Sequence, residues 1–291
     1  MRPFDCFIAI DWSGQAVARP RGLAVAVAGQ GNAAPVLMRP DGGWSRPDIL
    51  ELIGGLAAGG TRALIGLDLS PAFPFADEGA FFPGWDESPA DGRALWALVD
   101  RYCGDDAHLG AAGFLAHEEA ARYFRQHGGR LGDRFGARRA GRFRVCEHGQ
   151  KAMALSPYSC FNLVGAAQVG KSSLTGMRVL HRLSGRAPVW PFDPAPDEGP
   201  LIVEIYTSLA AREANIRKGL SKMRDGVALD AALDALGSAP HAPLARYDDH
   251  STDAILTAAW LRKAATDPRC WTPAALTPQI AATEGWTFGV F

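Results

Sequence analysis

The stretch FDCFIAIDWSG, from Phe4 to Gly14, constrains the fold more than any other part of the chain. Phe7, Ile8, Ala9 and Ile10 form an apolar run that is too short for a buried helix and rich in strand-forming residues. It therefore reads as a central strand covered on both faces. The strand delivers one carboxylate, Asp11, into a turn made of Trp12, Ser13 and Gly14. A side chain just past the end of a buried strand faces the rim of the sheet, where ligands of open α/β folds bind. Asp is also a common turn cap, so one occurrence decides little. The chain repeats the device, however. Ala63 to Leu69 (ALIGLDL) is a second apolar strand and carries Asp68, and Leu201 to Ile205 (LIVEI) is a third and carries Glu204.

The connections give the topology. Leu23–Ala28 and Pro35–Arg39 read as the second and third strands, joined by short Gly-rich turns, which predicts an antiparallel meander. Ser45 is a helix N-cap followed by Pro47 and Asp48, and Ile49, Leu52, Ile53 and Leu56 share one helical face before Gly59 and Gly60. A strand–helix–strand crossover of this length is parallel and right-handed. Asp68 is thereby expected at the same rim as Asp11.

Composition bounds the function classes. A chain of 291 residues with 47% hydrophobic and 21% charged residues is globular. It is read as a single domain over 1–291. No apolar run approaches the roughly 20 residues that span a bilayer, so no membrane partner is expected. The start of the chain has no export leader, and the five cysteines are scattered without CxxC spacing. Both points fit a cytoplasmic location and argue against a disulfide framework or a thiolate zinc site.

A long region, about 104–198, interrupts the strand–helix rhythm and reads as a helical insertion, with one helix at Phe114–Gln126. Between His117 and Lys151 it holds nine basic and four acidic residues, a net of +5 in a chain whose overall charge is −1. Arg122 to Arg144 is accordingly a candidate nucleic-acid surface, with a merely solvated face as the alternative. The aromatic stretch from Ser70 to Trp85 could wall a base-stacking site, but such rings more often fold onto the core.

The last helix, DHSTDAILTAAWLR (Asp249–Arg262), has Ser251 or Asp249 as its cap. It places Asp253 on an apolar background, one turn from His250 and Asp249. Asp11, Asp68, Glu204 and Asp253 together would repel one another and raise each other's pKa. A divalent cation resolves that conflict, and hard oxygen donors select Mg²⁺ or Mn²⁺. Two such ions clamp the attacking and leaving oxygens of a phosphodiester. Asp249 joins these four as a candidate ligand, and His250 is a candidate ligand, proton carrier or simple carboxylate partner.

Taken in order, IAIDWSG, IGLDLSP, VEIY, HSTDAILTAAWL and EGWTFGV resemble the domain-of-unknown-function family 429, predicted nucleases of the ribonuclease H-like fold. The resemblance covers both ends of the chain and is weak over residues 86–150. It implies a mixed α/β sheet in strand order 3-2-1-4-5 with helices on both faces. It also implies a metal site at Asp11, Asp68, Glu204 and Asp253, with His250 at the place where related resolvases put a His or Asp. The implied activity is metal-dependent phosphodiester hydrolysis. Glu204 departs from the pattern in one respect, because its strand continues into Ile205 and Tyr206 and its carboxylate could face the core.

A second motif competes. Gly165–Ser172 reads GAAQVGKS and satisfies the P-loop spacing, in which backbone amides cradle phosphates and the Lys reaches them. Phe161–Val164 would be its strand and Leu174–Leu183 its helix. Its position past the chain's midpoint favours a Gly-rich turn into a helix. A nucleotide-binding protein remains the alternative function, as does a non-catalytic protein of the same fold.

Overall fold

The computed structural model describes residues 3–135, 140–164, 168–216 and 223–291. Its strands are β1 (Cys6–Asp11), β2 (Ala24–Gly29), β3 (Val36–Met38), β4 (Ala63–Leu67), β5 (Val189–Trp190) and β6 (Leu201–Glu204). They form one sheet in the order β3-β2-β1-β4-β6-β5. The apolar run of β1 is central, as its composition requires. It pairs antiparallel with β2 on one side and parallel with β4 on the other. β6 continues parallel beyond β4.

The expected order 3-2-1-4-5 thus holds as far as the strand at Leu201–Glu204, which is sixth in the chain because a short edge strand precedes it. That edge strand, β5, pairs parallel with β6. It consists of two residues between Pro188 and Pro191, too few to show any alternation in the sequence.

The pleat of β1 sends alternate side chains to opposite faces. Ile8 and Ile10 pack with the helices α1 (Arg46–Ala58), α2 (Gly92–Tyr102) and α6 (Val169–Leu183), and with the short α3 (Ala112–Ala116) and α4 (Glu118–Ala121). Phe7 and Ala9 pack on the other face. There they meet α5 (Val145–Ala152), α7 (Thr207–Glu213), α8 (Gly226–Ala235), α9 (Asp249–Ala264), α10 (Pro268–Trp271) and α11 (Pro278–Thr283). The helices therefore do lie on both faces of the sheet.

Local signals account for most boundaries. Ser45 and Asp48 form a reciprocal capping box at the start of α1, with N···O distances of 3.1 and 2.9 Å. At α9 the cap is Asp248, one residue earlier than expected. Its carboxylate accepts from the Ser251 amide at 2.9 Å and from the Ser251 hydroxyl at 3.1 Å. The region 104–198 is woven into the fold: α6 covers the sheet and β5 extends it.

The single helix expected at Phe114–Gln126 is broken into α3 and α4 at His117, which takes an extended backbone. The His117 ring packs against Trp85 and Tyr102, at centroid distances of 5.2 and 4.3 Å. The aromatic stretch after β4 is core. Phe73, Phe81 and Phe82 are fully buried, and Phe73 stacks on Phe161 at 4.8 Å. The tail joins β6 by a parallel bridge between Glu204 and Thr287, burying Trp286, Phe288 and Val290.

Candidate functional site

Parallel pairing of β1 with β4 sets Ile10 opposite Leu67, so Asp11 and Asp68 emerge side by side at the carboxyl ends of two adjacent strands. The Asp68 amide donates to the Ile10 carbonyl at 3.0 Å, which fixes that juxtaposition. Asp11 is buried, and its Oδ2 lies 2.7 Å from Nδ1 of His250, in the first turn of α9. Burial raises the Asp11 pKa, His250 opposes the rise, and the charge of Asp248 adds to it.

Asp68 is pushed further. Burial comes first, then the charges of Asp11 and Asp253, against a backbone hydrogen bond from Thr207 and with Glu204 adding to the rise. Its carboxyl therefore stands well above the ordinary range. The His250 imidazole is raised in turn, chiefly by its hydrogen bond to Asp11. β1, β4 and α9 thus bring Asp11, Asp68, Asp253 and His250 into one electrostatic neighbourhood.

Glu204 belongs to a different arrangement. Its oxygens are gripped by Arg144, with Nη1 donating to Oε2 at 2.8 Å and Nη2 to Oε1, and Thr287 Oγ1 donates to Oε1 at 2.8 Å. Arg144 is fully buried and also donates to Glu147 Oε1 at 3.0 Å and to Ser70 Oγ at 3.1 Å. Both oxygens of Glu204 are thereby committed to protein donors, although the residue lines the same cavity as Asp68. Asp249 is held in an ion pair with Arg224 at 2.7 Å.

Among the described arginines of the stretch from Arg122 to Arg144, three are committed to internal partners, while Arg125, Arg130 and Arg134 are exposed. Arg144 is in the core. Arg142 is nearly buried, donating to Asp77 Oδ2 and to the Phe81 carbonyl, both at 2.8 Å. Arg122 pairs with Asp133 at 2.7 Å and with Glu119 at 3.0 Å. Arg138 and Arg139 lie outside the described residues. The sequence did carry a signal for Arg144: Arg144 and Glu147 stand three apart, the spacing of a local ion pair.

The Gly-rich motif is described only from Gln168, since 165–167 lie outside the described residues. α6 begins at Val169, so Lys171 and Ser172 fall in its first turn. Before it, Asn162 makes only an isolated bridge with Arg125, and Phe161–Val164 is not a strand of the sheet. The start of α6 packs directly on the turn after β1. A Cβ on Gly14 would collide with the Lys171 carbonyl carbon and the Ser172 nitrogen, so only glycine fits there. Ser172 and Gln168 line a cavity of 350 Å³ that Trp12, Asp68, Tyr158 and Tyr206 also wall.

Among the described residues, no group of three or more His, Cys, Asp or Glu is placed to hold a metal ion. The donor chemistry nevertheless fits a hard cation. Asp11, Asp68 and Asp253 supply only carboxylate oxygens, and Asp68 carries the repulsion of the other two. Glu204 does not fit as a ligand while Arg144 holds it. Comparison of the chain with protein-family models, with curated proteins and with solved structures gives no match.

Proposed function

We propose that the chain is a metal-dependent phosphodiester hydrolase with a ribonuclease H-like sheet, and that Asp11, Asp68 and Asp253 hold Mg²⁺ or Mn²⁺. The observation that carries this reading is the placement of Asp11 and Asp68 side by side at the ends of two parallel strands, where burial and then the charges of Asp11 and Asp253 raise the Asp68 carboxyl. Such an excess of negative charge at a sheet rim is relieved by a divalent cation. The cation would polarise a phosphoryl oxygen and lower the pKa of a coordinated water.

The chain's own residues do the rest. Asp11 orients His250 through Nδ1, leaving Nε2 to accept or give a proton. Arg144 grips Glu204, so the glutamate's charge is compensated in place.

The test uses protein stripped with EDTA. Mn²⁺ is expected to raise its melting temperature by mass action and to support hydrolysis of bis(p-nitrophenyl) phosphate. Asp11→Asn should abolish both effects. ATP with Mg²⁺ stabilising the protein where Mn²⁺ alone does not would favour nucleotide binding at Gly165–Ser172 instead. No response to either would leave a non-catalytic protein of this fold.

A further inference from the structure

On the far side of His250 from Asp11 lies a groove of 470 Å³ lined by four arginines, Arg19, Arg21, Arg39 and Arg246, together with Trp44. They come from three distant parts of the chain: the β1–β2 connection, the end of β3 and the approach to α9. The packing that unites them is specific. A Cβ on Gly22 would lie 3.0 Å from His250 Cε1, so the loop bearing Arg19 and Arg21 rests on the imidazole. Arg39 Nη2 donates to Ser251 Oγ at 3.4 Å, immediately beside His250.

The groove keeps its charge. Arg19 is paired with Asp48 at 2.8 Å, and Asp248 on the groove wall is occupied in capping α9. Among the described residues Arg21, Arg39 and Arg246 form no ion pair. Four guanidinium groups less those two carboxylates leave +2, in a chain whose net charge is −1. An aromatic face completes the wall. Trp44 is anchored by its indole N–H to the Met38 carbonyl at 2.9 Å. Guanidinium groups beside a flat aromatic are the elements with which proteins hold single-stranded nucleic acid, phosphates on the arginines and a base on the ring.

We propose that this groove binds the phosphate backbone of a single-stranded nucleic acid and leads it past His250 to Asp11 and Asp68. That the strand is cleaved there rests on the metal-hydrolase reading; that it is bound does not. The carboxylates repel phosphate until a cation is present, so a strand needs a separate positive contact, and this groove meets Asp11 through His250.

The experiment measures fluorescence anisotropy of a fluorescein-labelled 12-nucleotide oligo(dT) in EDTA across a range of KCl concentrations. The parent should bind with a steep negative slope of log affinity against log salt. Arg21→Ala with Arg246→Ala removes two phosphate contacts and should flatten that slope by about 1.4. Both side chains are exposed, so the melting temperature should stay at the parent value. Arg125→Ala with Arg130→Ala, an exposed pair that does not line the groove, should leave the slope unchanged.

Binding that is absent, independent of salt or indifferent to Arg21 and Arg246 would overturn the groove. So would binding of mononucleotides as tight as that of the oligonucleotide. Mn²⁺ stabilisation that persists in that case leaves the metal reading standing, and loss of Mn²⁺ stabilisation with oligonucleotide binding intact does the reverse.

Discussion

Asp68→Asn is expected to stabilise the metal-free protein at pH 8 and to leave its stability nearly unchanged at pH 4. In the folded chain the Asp68 carboxyl holds its proton to a higher pH than in the unfolded chain, because burial and the charges of Asp11 and Asp253 disfavour the anion. From the unfolded value of 3.8 up to the folded one, the native state binds more protons, so stability falls as pH rises. Above the folded value the full penalty is present. Each unit of such displacement is worth about 1.4 kcal/mol. A gain of that size raises the melting temperature of a chain this long by roughly 2–3 °C.

The asparagine keeps an acceptor for the Thr207 amide, so that contact is not lost. Part of Asp68 opens to the cavity, and water screening there holds the gain toward the lower end of the range. The assay is thermal unfolding in EDTA at both pH values, then with Mn²⁺ at pH 8. There the order should invert, since only the parent has the cation to gain. An Asp68→Asn protein that melts lower than the parent at pH 8 without metal, or shifts equally at both pH values, would refute the repulsion argument.

Three further outcomes follow from the same contacts. Arg144→Met strands Glu204 and Glu147 in the core without a counter-charge, so urea unfolding should show a loss of about 3–5 kcal/mol. Glu204→Gln should leave the Mn²⁺ dissociation constant, read by calorimetry, within a few-fold of the parent, and a loss comparable to that of Asp11→Asn would make Glu204 a ligand after all. His250→Ala should cost stability at pH 6 and progressively less toward pH 9. A raised imidazole pKa gives stability that is full below the unfolded value of 6.5 and fades as pH climbs through the folded one. A constant deficit across that range would mean that His250 acts by packing alone.

The pairing of Asp11 with Asp68 was legible because each part of it has a local cause. Short apolar runs define the strands, the capped helix at Ser45 defines the crossover, and a crossover of that kind admits only parallel strands. The fate of the aromatic stretch was legible for a similar reason, since large rings are usually buried. What escaped depends on long-range pairing. Arg144 looks like one more member of a basic run until Glu204, 60 residues on, is seen to meet it. The β5 edge exists only because β6 offers it a partner, and the break at His117 exists because Trp85 and Tyr102 take its ring. The arginine groove escaped altogether, because Arg19, Arg21, Arg39 and Arg246 show no clustering along the sequence.

The Arg144–Glu204 pair also explains why the third strand-end acid does not behave like the other two. A buried guanidinium is costly unless every donor is met, and here Glu204, Glu147, Ser70 and the Glu284 carbonyl meet them. Such a cluster resists rearrangement, because releasing Glu204 toward the rim would leave Arg144 short of its strongest acceptor. Glu204 still adds to the field on Asp68, but from a fixed and largely compensated position. Asp11 has the half-exposed His250 and a backbone hydrogen bond from Trp12 against it, and the charge of the imidazole depends on pH. The rim therefore has a locked side, around Arg144, and a responsive side, around Asp11, with Asp68 lining the cavity that also takes in Trp12, Glu204 and Tyr206. His250 stands on that responsive side, where it both lines the arginine groove and meets Asp11, so a ligand in the groove would meet the imidazole before the carboxylates.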